Sequence, residues 1–228
     1  MIFQDNVLCE YLKNVYFITG TPCGGKTTVS HKLAKRHNLL VYNIDEQFAI
    51  HQKISNFAFQ PSMNKDFKNA DAFFGRTVEE YKKWLIDNTR EQLDFVLLDL
   101  IRLSQNRILL CDCHLTVEEA NQLTEASRIV FLIKEPSNLV DDYCNRPDHQ
   151  GFRDFINSAS DVKKAKVICN GALKDLNQKR YTDIKNSGYY WIERTQKSTI
   201  DETVEKVEQH FGLVKNGSNL TNCGNETD

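Results

Sequence analysis

Residues 14–28 read NVYFITGTPCGGKTT. The β-branched and aromatic run at 14–19 predicts a buried strand that stops at Gly20. Beyond Lys26, the apolar residues Val29, Leu33 and Ala34 recur at helical spacing, which predicts a helix over 26–37. Between them, Gly20 to Thr27 fits the pattern G-x-x-x-x-G-K-[ST] in the strand-then-helix context that gives the pattern meaning. Each residue type has a physical reason. Glycines at 20, 24 and 25 let backbone N–H groups come close to a phosphate. The start of the next helix adds a partial positive charge. Lys26 adds a full one, and the Thr27 hydroxyl is a hard oxygen donor suited to Mg²⁺. Gly20, Thr21, Pro22, Cys23, Gly24, Gly25, Lys26, Thr27 and Thr28 are therefore the candidate nucleotide-binding residues.

Outward from this loop, strands and helices alternate. LLVYNID at 39–45 predicts a second strand ending in Asp45, RILLCD at 107–112 a third ending in Asp112, RIVFLIK at 128–134 a fourth, and YYWIE at 189–193 a last one. Helices are predicted near 77–104, 117–125, 137–145, 160–180 and 200–211; the run 95–101 also reads as a possible strand. The stretch 46–75 is irregular and aromatic-rich, with Phe48, Phe57, Phe59, Phe67, Phe73 and Phe74. Alternation of this kind implies a parallel sheet covered by helices on both faces, a three-layer α/β/α fold whose ligands bind at the carboxyl ends of the strands. The domain spans 1–212, with a helical substrate-binding insertion at 46–105, a lid region at 137–160 and a flexible tail at 213–228.

Composition narrows the function. The 228 residues carry 29 Lys and Arg against 31 Asp and Glu, a formal charge of -2, so no strong field invites nucleic acid or a membrane. The N-terminal residues lack the pattern of a signal peptide and no segment has about 18 consecutive apolar residues. With seven cysteines, an odd number spread along the chain, the expected setting is the reducing cytoplasm. The expected partners are ATP and a small-molecule acceptor; the oligomeric state stays open.

Asp112 is placed to be the second Mg²⁺ partner beside Thr27. Asp45, at the same edge, could take the proton of an attacking hydroxyl or hold that hydroxyl in line, or simply cap the following helix. Arg146 and Arg153, in DDYCNRPDHQGFRDF, are candidate lid arginines, with Arg146 preferred. Arg76, in FFGRT, could contact an anionic substrate, and Cys23 could be an oxidation-sensitive thiol. The cluster Cys111, Cys113 and His114 lacks the further ligand pair that a structural zinc site needs. The aromatic residues from 48 to 84 read as lobe core before they read as a stacking platform.

The loop at 20–27 resembles the Walker A loop of P-loop nucleoside triphosphate-binding proteins. In its order of strand, loop, helix, strand-Asp, variable lobe, strand-Asp, strand, Arg-bearing segment and last strand, the chain over 14–212 resembles P-loop kinases related to adenylate, shikimate and gluconate kinases. The resemblance implies ATP and Mg²⁺, with Lys26, Asp45 and Arg146 as catalytic residues and Thr27 and Asp112 as metal ligands. DCHLT keeps the aspartate of the adenylate kinase D-G-[FY]-P-R run but not its arginine and proline, and Asn43 stands where shikimate kinases have the first aspartate of D-x-D. Neither substrate transfers. The rival expectation is an ATP- or GTP-binding switch without a small-molecule acceptor; no N-K-x-D guanine motif occurs, and residue 113, where a hydrolytic Walker B glutamate would stand, is Cys.

Overall fold

The computed structural model describes residues 5–138, 143, 146 and 149–213. Its centre is a five-stranded sheet made of β1 (Val15–Gly20), β2 (Leu40–Asn43), β3 (Leu109–Asp112), β4 (Ile129–Lys134) and β5 (Trp191–Arg194), in the order β2-β3-β1-β4-β5. Every pairing is parallel. Chain order reverses direction across β1, so the loop after β1 sits at the topological switch point where such sheets bind ligands.

Side-chain alternation along the strands decides which helices cover which face. Val15 and Phe17 of β1, with Leu109 and Cys111 of β3 and Phe131 and Ile133 of β4, pack under α1 (Asp5–Tyr11), α5 (Val78–Leu103), α6 (Val117–Leu123) and α8 (Val162–Lys185). Ile18, Leu110, Val130 and Leu132 face the other way, against α2 (Lys26–His37) and α9 (Ile200–His210). The central strands are therefore apolar on both sides, as buried parallel strands must be.

The region after β2 departs from the irregular stretch expected there. Residues Ile44–Ile54 form helix α3, and Asp45 lies in its first turn, not at a strand end. Asn43 ends the strand and caps the helix, its Oδ1 accepting from the Asp45 and Glu46 amides at 2.9 and 3.4 Å. That is a strong helix start signal, and it stops β2 two residues early. The helix α4 (Ala70–Phe74) follows, then α5 runs unbroken through 95–101, so the alternative strand there does not form. Its capping box at Thr77 and Glu80 fixes the start.

At 26 residues, α5 is about 39 Å long and outreaches the sheet. Its first turns, with α4, α7 (Gln150–Asn157) and the start of α8, enclose a second small core around Ala70, Phe74, Tyr81, Ile156 and Cys169. Part of the aromatic stretch is core, as expected, with Phe73 and Phe74 meeting Tyr81 and Phe155 edge-on or tilted, but Phe57 and Phe59 stand exposed, outside that core. Helices α1 and α7 had not been expected either. Most of the helix expected over 137–145 lies outside the described residues, and Pro136–Asn138 forms a 3₁₀ turn. The tail from 214 on also lies outside them. Among the described residues, no helix is long and apolar enough to cross a membrane.

Candidate active site

The loop between β1 and α2 is stitched to β4. Thr21 donates its amide to the Leu132 carbonyl at 3.1 Å, and its hydroxyl accepts from the Lys134 amide at 2.8 Å. Gly20 makes this approach possible: a Cβ there would lie 2.0 Å from the Leu132 oxygen, and its φ of 128° belongs to glycine. Gly25, at φ 95°, turns the chain into α2 without any side-chain cap. No acidic residue occupies the first turn of α2, so its free N–H groups and dipole are left uncompensated. An anion is the natural partner of such an end.

Lys26 is almost fully buried, its ammonium donating to the Thr21 carbonyl at 3.1 Å. Burial pulls its pKa down, Asp112 opposes this, Arg180 reinforces it and Asp45 opposes it again. Thr27 and Thr28 stand exposed on the first turn of α2, and Thr27 is near enough to Asp112 to favour its ionised carboxylate. Pro22 and Cys23 complete the loop; Cys23 holds a φ of 59° and its carbonyl accepts from Arg194 at 3.2 Å.

Asp112 ends β3, in register with Ile18 on one side and Asn43 on the other. Burial raises its carboxyl pKa; Lys26, Thr27 and His114 work against that, while Asp45 adds to it. The Asn43 amide donates to Asp112 at 3.4 Å, so one asparagine both caps α3 and touches the β3 aspartate. Asp45, carried outward by the first turn of α3, meets the His114 ring at 3.1 Å. Desolvation by surrounding protein opposes its charge, but the His114 hydrogen bond and the charges of His114, Lys26 and Arg146 hold its carboxyl below the ordinary value.

His114 and Arg180 are the two residues that sequence reading missed. The histidine was weighed only as part of a zinc cluster, although its place two residues after a strand-ending aspartate was a usable signal. Arg180 gave none: it lies inside α8 in a polar stretch, and only the fold brings it under the loop. There it donates to the His114 carbonyl at 2.8 Å and the Gly20 carbonyl at 3.5 Å, and burial lowers its pKa. The charge of Arg146 reaches Asp45 and helps hold its carboxyl down. Arg153 donates to the Arg146 carbonyl at 2.6 Å and to Gln150 at 2.6 Å, tying the segment together. Arg76 is elsewhere, in a cage of Phe67, Phe73, Tyr81 and Trp84 with its guanidinium carbon 4.3–4.9 Å from each ring centre.

Over residues 17–164 the chain matches the family model described as AAA domain. The chain belongs to the AAA domain family. Taken with the loop at 20–27 and the all-parallel sheet, that makes it a member of the P-loop kinase superfamily. No curated protein matches this AAA domain chain. Among solved structures it is similar to the shikimate kinase from Bacteroides thetaiotaomicron, with 16% identity, a TM-score of 0.46, and 87% of this chain and 98% of that one covered.

Proposed function

We propose that this AAA domain protein is an ATP-dependent kinase that moves the γ-phosphate to a hydroxyl or phosphate of a small molecule. One observation carries the reading: a carboxylate–imidazole pair, Asp45 with His114, stands within electrostatic reach of Lys26 and Asp112 beside the loop. A nucleotide-binding loop alone explains the cation and the metal partner. A second carboxylate beside it, kept ionised by His114, gives an acceptor hydroxyl a group to hold it in line.

In this reading the loop amides and Lys26 hold the β- and γ-phosphates. The acceptor oxygen forms a bond to the γ-phosphorus as the bond to the β-γ bridging oxygen breaks, leaving ADP. Asp45 orients the acceptor hydroxyl in line and takes its proton. Arg146, whose charge reaches Asp45, is the group assigned to the negative charge that spreads on the transferring group. The 46–105 insertion supplies the acceptor pocket. Thr27 and Asp112 offer a hydroxyl and a carboxylate near one another, which fits a hard cation that takes its remaining ligands from phosphate and water. Mg²⁺ held there would neutralise phosphate charge.

The neighbour of Asp112 is the buried thiol of Cys113, which cannot polarise a water as a carboxylate would, and this favours transfer over simple hydrolysis. Among the described residues, Cys9, Cys23, Cys111, Cys113 and Cys169 form no disulfide. The test is a screen of nucleosides, nucleotides, sugars, shikimate-like acids and aminoglycosides for acceptor-stimulated ADP release. One class should stimulate strongly. Silence across the panel would overturn the kinase reading in favour of a nucleotide-dependent switch.

A further inference from the structure

Behind Asp45 lies a buried polar network that the chemistry above does not use. Gln92 of α5 and His51 of α3 are 5% and 2% exposed. The Gln92 amide nitrogen donates to the Ile44 carbonyl at 2.8 Å and stands 3.4 Å from His51 Nδ1. On its other side the His51 ring meets Asp99 Oδ2 at 3.0 Å through Nε2, and the Tyr42 hydroxyl donates to the same oxygen at 3.0 Å. Phe95 stacks on the ring, 5.4 Å away centre to centre. The charged and titratable groups facing the ring are Asp99 of α5 and Tyr42 of β2, with Arg102 beyond Asp99.

The hydrogens can be counted. Both protons on the Gln92 nitrogen are committed, one to Ile44 and one to His51, so Nδ1 must accept and Nε2 must carry the proton given to Asp99. Turning the Gln92 amide over would set its oxygen against the Ile44 carbonyl and leave a buried acceptor unpaired, at a cost that selects one arrangement. Ile44 is the residue before Asp45. The network thus fixes the first turn of α3 from behind, while Asn43 fixes it from the front.

We propose that Gln92, held in one orientation by His51 and Asp99, is a positioning residue that sets where Asp45 stands relative to the phosphoryl-transfer site. The inference of a role in turnover rests on the kinase reading; the placement of the α3 turn does not. In-line transfer tolerates little misplacement, and a shift of about 1 Å costs roughly ten- to hundredfold in rate. Gln92 is therefore expected to act on turnover without touching either substrate.

The experiment compares the native chain with Gln92→Met, which keeps the volume and removes both donors, with Asp45→Asn, and with the double variant. Two placement readouts need no acceptor. Nitrogen NMR of the native chain should show His51 as the Nε2–H tautomer. Amide exchange at Asp45 and Glu46 should speed up at least about tenfold in Gln92→Met, while the Glu202 amide capped by Thr199 stays unchanged. A native Nδ1–H tautomer, or unaltered exchange in the folded variant, overturns the proposal. If Gln92→Met does not fold, His51→Leu, which takes away the acceptor that orients Gln92, replaces it with the same expectation.

The chemical readout is the release of labelled phosphate from γ-labelled ATP with Mg²⁺, water standing in for the acceptor. Gln92→Met should lower kcat by about tenfold with KM for ATP unchanged, and the double variant should be no slower than Asp45→Asn. Multiplying losses would overturn the proposed route through Asp45. If Asp45→Asn hydrolyses ATP at the native rate while the Gln92→Met amides still exchange faster, the assignment of Asp45 fails and the structural role of Gln92 stands.

Discussion

Lys26 sits with its ammonium bonded to a carbonyl of its own loop and its charge disfavoured by burial. A phosphate would relieve both conditions at once, because it supplies a stronger acceptor and an opposing charge in a place with little water. Lys26→Ala should leave the fold intact and reduce phosphoryl transfer by at least about 10²- to 10³-fold, measured as acceptor-dependent ADP release. The Asp45–His114 pair gives a pH prediction. As the proposed base, Asp45 acts only when ionised, and its folded pKa lies below the usual carboxylate value, so turnover should be complete above that value and lost as pH falls through it. The acidic limb of kcat should lie below about pH 4 in the native chain. In His114→Leu, which lacks the hydrogen bond, that limb should move upward.

At the scale of elements, α5 joins two cores. Its C-terminal half covers the sheet and its N-terminal half belongs to the aromatic cluster with α4, α7 and α8. Phe74, 2% exposed at the centre of that cluster, should cost about 3–5 kcal/mol on replacement by Ala, read from denaturant unfolding. The caged Arg76 belongs to this packing. Further along α5, Asp99 ties the helix to α3 and β2. Burial opposes its charge, but hydrogen bonds from His51, Tyr42 and Arg102 outweigh it, so its folded pKa is lowered. A lowered folded value means stability that is present above the unfolded pKa of about 4 and lost as pH falls through the folded one. Asp99→Asn should accordingly flatten the fall of Tm with acid in that window.

On the scale of the whole molecule, the site is assembled by the sheet order. β1 lies between β3 and β4, so the loop after β1 has Asp112 on one side and the Leu132–Lys134 backbone on the other. Arg180 closes the arrangement from beneath by joining the Gly20 and His114 carbonyls, residues 94 positions apart in sequence (114 − 20). Arg180→Met removes charge-assisted bonds to both and should cost about 2 kcal/mol of stability, together with a smaller gain in Tm when MgATP is added. An unchanged ATP-induced shift would show that the clamp does not bear on nucleotide binding.

What could be read from the sequence was local. The strand, the glycine-bearing loop and the helix from Lys26 to His37 follow from residue spacing, and so do the strands ending at Asp112 and Lys134, because periodicity and turn chemistry act within a few residues. Asp45 was found as a candidate but put on the wrong element, since the Asn43 cap competes with the apolar run before it and wins by satisfying two amides. Arg180, Gln92 and the partnership of His114 with Asp45 had no local signature. Their meaning comes from contacts between residues 41 to 160 positions apart, which only the packed sheet and its covering helices bring within hydrogen-bond reach. The sequence by itself determined that a phosphate-binding loop exists and where it lies; the tertiary structure decided which side chains face it, because a buried polar group must find its partners wherever the fold has placed them.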